Sequence, residues 1–394
     1  MASKGCSSRA LAKGPGRERR PLVVYNAAVL RGEWSGVEKS VCQLARALSA
    51  CSERPFDFTV LLPPDVPAVF PPDVNVVRLP RRACGRVGRV LYELLEMPSL
   101  VRRLRADSFL SPAYVTPPRL SCPSLLVLYD LHVYTHPRFC RWSNILHYRL
   151  RMRGSIRSAS AVIVPTKHVL RALAIRFPKA ACKTEVVPLG VSDCYFRRFS
   201  EDEKKRFLES HRLPCRYLVM VGASSPRKNP PGVIGGWARL RQEDSSLGLV
   251  LVGKGRKMGK LPEGAVNLGY LPEEEMPLLY ACAEALVYPS FDEGFGLPVA
   301  EAMAVGCPVV TSPIPMREFA DGAAVFCDPH FPESISKALR EVVPGPWGRA
   351  EGRLHHVQVG RERAETLSWT RTASRVVMLI ADVLKDATRK APSR

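Results

Sequence analysis

Two glutamates carry the clearest chemistry in the chain. Glu293 and Glu301 are separated by seven residues in EGFGLPVAE, residues 293–301. Gly294 and Gly296 give a loop with exposed backbone amides, and Pro298 is suited to the first turn of a helix. A helix N-terminus with free N–H groups holds an anion or a row of hydroxyls. Glu301 is expected in that first turn, where the macrodipole favours its charge, with Glu293 on the loop above. Arg227 and Lys228, in VGASSPRKN (residues 221–229), close a strand and open a helix. An arginine fork beside a lysine point charge there can neutralise a diphosphate. A third candidate group lies in LVLYDLH, residues 126–132, where Asp130 and His132 end a strand. Tyr129 could hydrogen-bond a hydroxyl but cannot act as a base near neutral pH without a large pKa shift. His132 or His136 could serve instead, although a lone histidine is as often structural. LVGKG, residues 251–255, does not fit a phosphate loop and reads as a tight turn.

These residues sit at the ends of short apolar runs. Candidate strands are Leu22–Asn26, Phe58–Leu62, Val74–Leu79, Ser124–Tyr129, Ala161–Pro165 and Glu185–Pro188. A second set is Tyr217–Gly222, Leu249–Gly253, Val266–Leu268, Ala285–Tyr288, Pro308–Thr311 and Ala324–Cys327. Most are apolar throughout, as parallel strands covered on both faces are. Helical periodicity marks Gly36–Leu48, Val90–Leu104 (broken or kinked at Pro98), Ser143–Ser158 and Asn229–Arg241, then Pro298–Val305, Glu333–Val343 and Trp369–Lys385. Strand–helix alternation repeated twice predicts an α/β protein of two Rossmann-like, doubly wound domains facing across a cleft. The expected boundaries are a basic tail over 1–20, a first domain over 21–190, a hinge over 191–213 and a second domain over 214–368. A helix and tail over 369–394 would cross back to the first domain.

Composition narrows the class. The 394 residues carry a net charge of +21, with 58 Lys and Arg against 37 Asp and Glu. That balance favours anionic partners or reflects solvated basic helix faces. A nucleic-acid reader is disfavoured, because basic and aromatic residues do not interleave and no finger or RNA-binding motif occurs. The 12 cysteines are scattered with no Cys-x-x-Cys pair, which argues against a zinc site or a disulfide framework. No apolar segment follows the basic start and no run reaches membrane-spanning length. The expectation is a cytoplasmic protein, soluble or peripheral at the cytoplasmic membrane face.

The stretch EGFGLPVAEAMAVGCPVV resembles glycosyltransferase family 4, retaining enzymes of the GT-B fold, and the likeness extends over most of residues 21–385. The resemblance implies that Glu293 contacts hydroxyls of the transferred sugar and that Phe295, Gly296 and Leu297 offer amides to the sugar or diphosphate. Glu301 would accept hydrogen bonds from the nucleotide ribose, and Tyr270 would lie near the base, unless it is simply a packed aromatic. Arg227 and Lys228 match the family's diphosphate-binding pair. Family members often have an arginine where this chain has Ala223, and His-Asp where it has Tyr129-Asp130. The loop RGEWSGVE, residues 31–38, containing Gly36, would close on the diphosphate or acceptor. The implied partners are a nucleoside-diphosphate sugar and a glycan or lipid-linked acceptor, with the basic N-terminal half against anionic lipid and no nucleic acid. The donor is a substrate, so no cofactor is implied, and two cations at the diphosphate would make a metal unnecessary. A non-catalytic nucleotide-sugar binder is the alternative, and an epimerase on the same fold is disfavoured by the two glutamates.

Overall fold

A computed structural model describes residues 19–31, 36–68, 70–253 and 260–390. The apolar runs form two sheets in which every pairing is parallel. The first holds β1 (Leu22–Asn26), β2 (Asp57–Leu62), β3 (Asn75–Arg78), β4 (Ser108–Ser111), β5 (Ser124–Val127), β6 (Ala161–Val164) and β7 (Thr184–Val186), in the order β3-β2-β1-β4-β5-β6-β7. The second holds β8 (Tyr217–Val221), β9 (Gly248–Val252), β10 (Ala265–Gly269), β11 (Ala285–Tyr288), β12 (Val309–Thr311) and β13 (Val325–Phe326), in the order β10-β9-β8-β11-β12-β13. Both are doubly wound with a switch in strand order beside the first strand, the place where such sheets open a crevice for ligands. The two-domain α/β architecture predicted from the alternation is the one observed.

Some elements differ from the sequence reading. β4, fully buried between β1 and β5, has no counterpart among the predicted strands. The segment read as one helix is two, Arg86–Leu95 and Met97–Arg103, with Pro98 in the first turn of the second, where its missing N–H breaks no bond. Helices Lys167–Arg176 and Glu201–Ser210 also escaped the periodicity, yet each starts on a side-chain cap. Thr166 accepts from the Val169 amide, and Ser200 and Glu203 form a reciprocal capping box.

Four helices matter for the site: α1 (Gly36–Ala50), α2 (Pro230–Glu243), α3 (Leu297–Val305) and α4 (Trp369–Lys390). α4 lies against α1, so Val376 and Ile380 join Val41, Leu44 and Leu48 in one buried apolar cluster. Each such side chain contributes about 1.5–3 kcal/mol through removal from water. The chain passes between the domains twice, at Pro188–Val191 and at Leu367–Trp369, and the two passages are tied together. Val191 donates to the Leu367 carbonyl at 2.9 Å, and the Thr372 hydroxyl donates to the Pro188 carbonyl at 2.8 Å.

Candidate active site in the interdomain cleft

The loops that follow β8 and β11 flank the switch point of the second sheet, and they hold most of the expected residues. After β8, Asn229 takes a left-handed backbone (φ 63°) and its side chain caps α2 by accepting from the Gly232 amide. That sharp turn sends Arg227 and Lys228 back over β11. The Arg227 guanidinium lies 2.7 Å from Glu293 and also donates to the Asp292 carbonyl. Lys228 donates to the Tyr288 hydroxyl, its ammonium 4.6 Å above that ring. Glu293 is buried and accepts from the hydroxyls of Tyr288 and Ser290, both at 2.9 Å. Burial alone would raise its pKa, but Arg227 and Lys228 overcome this and hold it below the usual carboxylate range. Burial lowers the pKa of Lys228.

Gly296 starts α3 at φ 101°, a left-handed conformation that glycine adopts without strain. The amides of Phe295, Gly296 and Leu297 donate to no protein acceptor among the described residues. Such amides at a helix start have no intrahelical acceptor, and Leu297 lines the cavity that Lys228 and Glu301 share. The Phe295 ring stacks on Phe319 at 4.8 Å. Ala223 is buried beneath β8. The arginine that reaches Glu293 therefore comes from the next turn, at Arg227.

Glu301 corrects one expectation. It lies past the first turn of α3, and no acidic residue occupies that turn, so the macrodipole is not what holds its charge. A lysine does. Lys39, from α1 of the other domain, forms buried ion pairs with both Glu301 and Glu273 and approaches the Tyr195 hydroxyl at 3.0 Å. Burial acts to lower the Lys39 pKa, but the two carboxylates outweigh it and the net shift is upward. Glu273 is pushed up by burial and by Glu301. Gly36, Lys39, Lys228, Tyr270, Glu273 and Glu301 all line one cavity of about 360 Å³. Tyr270 stands half-exposed at its rim, not packed in the core. Of the glycine-rich loop, residues 32–35 lie outside the described residues, as do Lys254, Gly255 and Gly259.

The first domain closes on this site from β5. A methyl group at Gly294 would sit 1.8 Å from the Tyr129 carbonyl oxygen, and the Thr166 hydroxyl donates to the Gly294 carbonyl at 2.9 Å. Tyr129 itself is buried with its hydroxyl unpartnered, and burial drives its pKa far up. It is no base. Asp130 accepts from Tyr114 at 2.5 Å and from the His132 amide at 3.0 Å. Burial would raise Asp130, yet His132 brings it down to about 2.

His132 bridges the two domains, with Nδ1 3.1 Å from Asp130 and Nε2 3.2 Å from Asp292. The second contact is close enough for charge attraction but not aligned as a hydrogen bond. Burial acts against the charged ring, but Asp130 and Asp292 prevail and raise its pKa to about 9. At neutral pH His132 is a cation, which removes it as a general base. His136 and His168 approach the same Asp292 at 3.0 and 2.8 Å. Burial lowers the His136 pKa. Asp292, His168, Lys39 and Glu273 were not singled out from the sequence. Asp292 immediately precedes the quoted motif, but its histidines are far away in the chain.

Comparison with known proteins places this geometry. The profile described as "Glycosyl transferases group 1" matches residues 201–355, and that of "Glycosyltransferase Family 4" matches residues 34–193. O-antigen chain mannosyltransferase B of Escherichia coli is 27% identical over 251 residues, 57% of this chain and 62% of that protein. A D-inositol 3-phosphate glycosyltransferase of Salinispora arenicola is 30% identical over 247 residues, 56% of this chain and 54% of that protein. The chain thus matches roughly half to three fifths of these relatives' length. Among solved structures, sucrose-phosphate synthase of Thermosynechococcus elongatus superposes with a TM-score of 0.72 at 18% identity, covering 93% of this chain and 100% of that one. Anabaena HepE in complex with UDP-glucose gives 0.67 at 15% identity, covering 92% and 99%. At these identities the likeness is one of fold. With one profile on each domain and the expected residues gathered in the cleft between, the chain belongs to the group 1/family 4 glycosyltransferases of the GT-B fold.

Proposed function

We propose that this protein transfers a sugar from a nucleoside-diphosphate sugar to a glycan or lipid-linked acceptor, with retention of anomeric configuration. The observation that carries the reading is a cavity of about 360 Å³ lined by Lys228, Glu301 and the start of α3 at Leu297, with the Arg227–Glu293 ion pair on the same two loops that supply Lys228 and Leu297. Preorganised cations and amides aimed at a departing diphosphate are the main expected source of acceleration. Glu293 orients the sugar hydroxyls. Glu301, with Lys39 and Glu273, receives the ribose, and Tyr270 stands where the base enters. HepE, a structural neighbour, binds UDP-glucose, which supports this class of donor.

In the proposed step the bond from the anomeric carbon to the diphosphate oxygen breaks, and the acceptor oxygen bonds to that carbon on the same face. The acceptor proton passes to the departing phosphate oxygen. No protein base or nucleophile is required, in keeping with a protonated His132 and a buried Tyr129. Arg227 and Lys228 take the place of a metal at the diphosphate.

The acceptor side faces a membrane in this reading. Among the described residues no helix is long and apolar enough to cross one. Helices Arg86–Leu95 and Trp142–Ser158 nonetheless expose Val87, Leu91 and Leu95, and Trp142, Leu146 and Leu150. Exposed Arg81, Arg82, Arg86, Arg149 and Arg153 accompany them, the pairing of apolar tips and cations that suits the cytoplasmic face of an anionic bilayer.

The test is a thermal-shift panel of uridine, guanosine, adenosine and thymidine diphosphate sugars on the wild type, Glu293→Ala and Arg227→Ala. One donor class should stabilise the wild type strongly and the variants weakly. No response to any donor would sink the proposal, and binding with no slow donor hydrolysis or transfer would reduce it to a non-catalytic binder. Product NMR reads the anomer, and flotation with anionic vesicles at low salt reads the membrane contact.

A further inference from the structure

A second cavity, of about 400 Å³, lies wholly in the first domain between helices Arg86–Leu95 and Trp142–Ser158. Arg31, Arg86, Arg89 and Arg141 line it, against Glu38 and Glu93. Glu93 is already engaged by Arg151 at 2.9 Å. Arg31, Arg86 and Arg141 form no side-chain hydrogen bond or ion pair among the described residues. Arg89 is itself buried, 9% exposed, and its Nε has no hydrogen-bond partner; the nearest carboxylate oxygen, on Glu93, is 3.9 Å away. One Arg151 nitrogen and the His147 Nε2 are buried and unpartnered just behind. A buried, unsatisfied guanidinium is costly unless an anion completes it. The local potential is strongly positive. Burial, with Arg151, Arg89 and Arg86 adding to it, drives His147 down to about 4.

The cavity also touches the chemistry. Tyr114 forms part of its wall and donates its hydroxyl to Asp130, which lies beside His132. A ligand seated among the arginines would present its far end to the place where the donor sugar is delivered.

We propose that this arginine cavity binds a phosphate or diphosphate group carried by the acceptor. The proposal rests on the transferase reading for calling the ligand an acceptor, while the anion site itself does not. Guanidinium forks match phosphate oxygens two at a time, and four of them around one cavity discriminate a phosphorylated acceptor from a neutral glycan. The phosphate can belong to a soluble sugar phosphate or to a lipid diphosphate. The exposed apolar residues recur at i, i+4 and i+8 on each flanking helix, turned away from the pocket-lining positions, and suit the lipid form.

The experiment saturates the donor site with whichever nucleoside diphosphate stabilises the protein most, so that Arg227 and Lys228 are occupied. Binding of a hexose 1-phosphate is then measured by titration calorimetry, with a methyl hexoside as neutral control. Vesicles of phosphatidylcholine with and without an isoprenyl diphosphate form the second arm, read by flotation. Arg86→Gln with Arg141→Gln removes two exposed, unpaired arginines and leaves the core intact; Arg89→Gln tests the buried one. Each variant should weaken binding of the charged probe about tenfold or more. Binding in the soluble arm alone, or in the vesicle arm alone, upholds the site and identifies the phosphate's source. Equal binding of charged and neutral probes, no binding of either, or full affinity in both variants overturns it. If no nucleoside diphosphate binds, the titration is run on the free protein. Arginine-dependent phosphate binding there would leave this site standing and remove the transferase reading.

Discussion

At the scale of single residues, the site is a set of buried charges that satisfy one another across the cleft. Glu293→Gln should lower transfer by about 100-fold or more, because the neutral amide no longer fixes Arg227 against the departing diphosphate. Initial rates at saturating donor measure this, and a loss below about threefold would remove Glu293 from the machinery. His132 makes a pH prediction. Its folded pKa is raised to about 9 from 6.5, so its stabilisation is complete below about pH 6.5 and disappears as pH rises through about 9. That is worth roughly 3 kcal/mol. The denaturation gap between wild type and His132→Gln should close over this interval, and an NMR midpoint below neutrality for the ring would contradict it. Glu293, Glu301, Arg227 and Lys228 were legible in the sequence because each lies in a contiguous segment of known geometry. Lys39 was not. It falls opposite the apolar stripe of α1 formed by Val37, Val41, Leu44 and Leu48, where a single helix in water would expose it. Only the second domain buries it. Asp292 was hidden in the same way, since its partners at positions 132, 136 and 168 are brought together by two sheets.

Elements set how far those charges can move. α1 carries Lys39 onto α3, so one side chain neutralises two carboxylates on the opposite domain. Lys39→Met leaves Glu273 and Glu301 facing each other and should cost about 3–5 kcal/mol. The sign follows from Glu273, whose pKa is already raised by burial and Glu301. Further raising it gives a variant more stable in mild acid than in mild base, because a raised carboxyl loses its contribution as pH rises. Urea midpoints across that range test this, and a pH-independent loss would count against it. Most strands were visible as all-apolar runs, and the fold class followed. β4 was invisible. Ser-Phe-Leu-Ser offers only two apolar residues, and its serines are buried because neighbouring strands enclose them. Helix Glu201–Ser210 lay unseen within the expected hinge for the converse reason: only Phe207 is buried, and its cap carries the signal.

The whole molecule is held by α4 returning to the first domain. Ile380 is fully buried in the cluster that includes α1, and Ile380→Ala should cost about 2–5 kcal/mol. Because that cluster spans both sheets, the two domains should unfold in a single calorimetric transition, and two separated transitions would show that it does not couple them. The paired chain passages at Pro188–Val191 and Leu367–Trp369 have a mechanical meaning beyond stability. One passage would be a swivel, free to turn in every direction. Two, pinned side by side by the Val191–Leu367 and Thr372–Pro188 hydrogen bonds, should confine relative motion of the domains to one axis, as the knuckles of a door hinge do. Closure about that axis should bring Gly294 to the Tyr129 carbonyl along one track, so that in the proposed transfer the donor meets the acceptor side in one orientation.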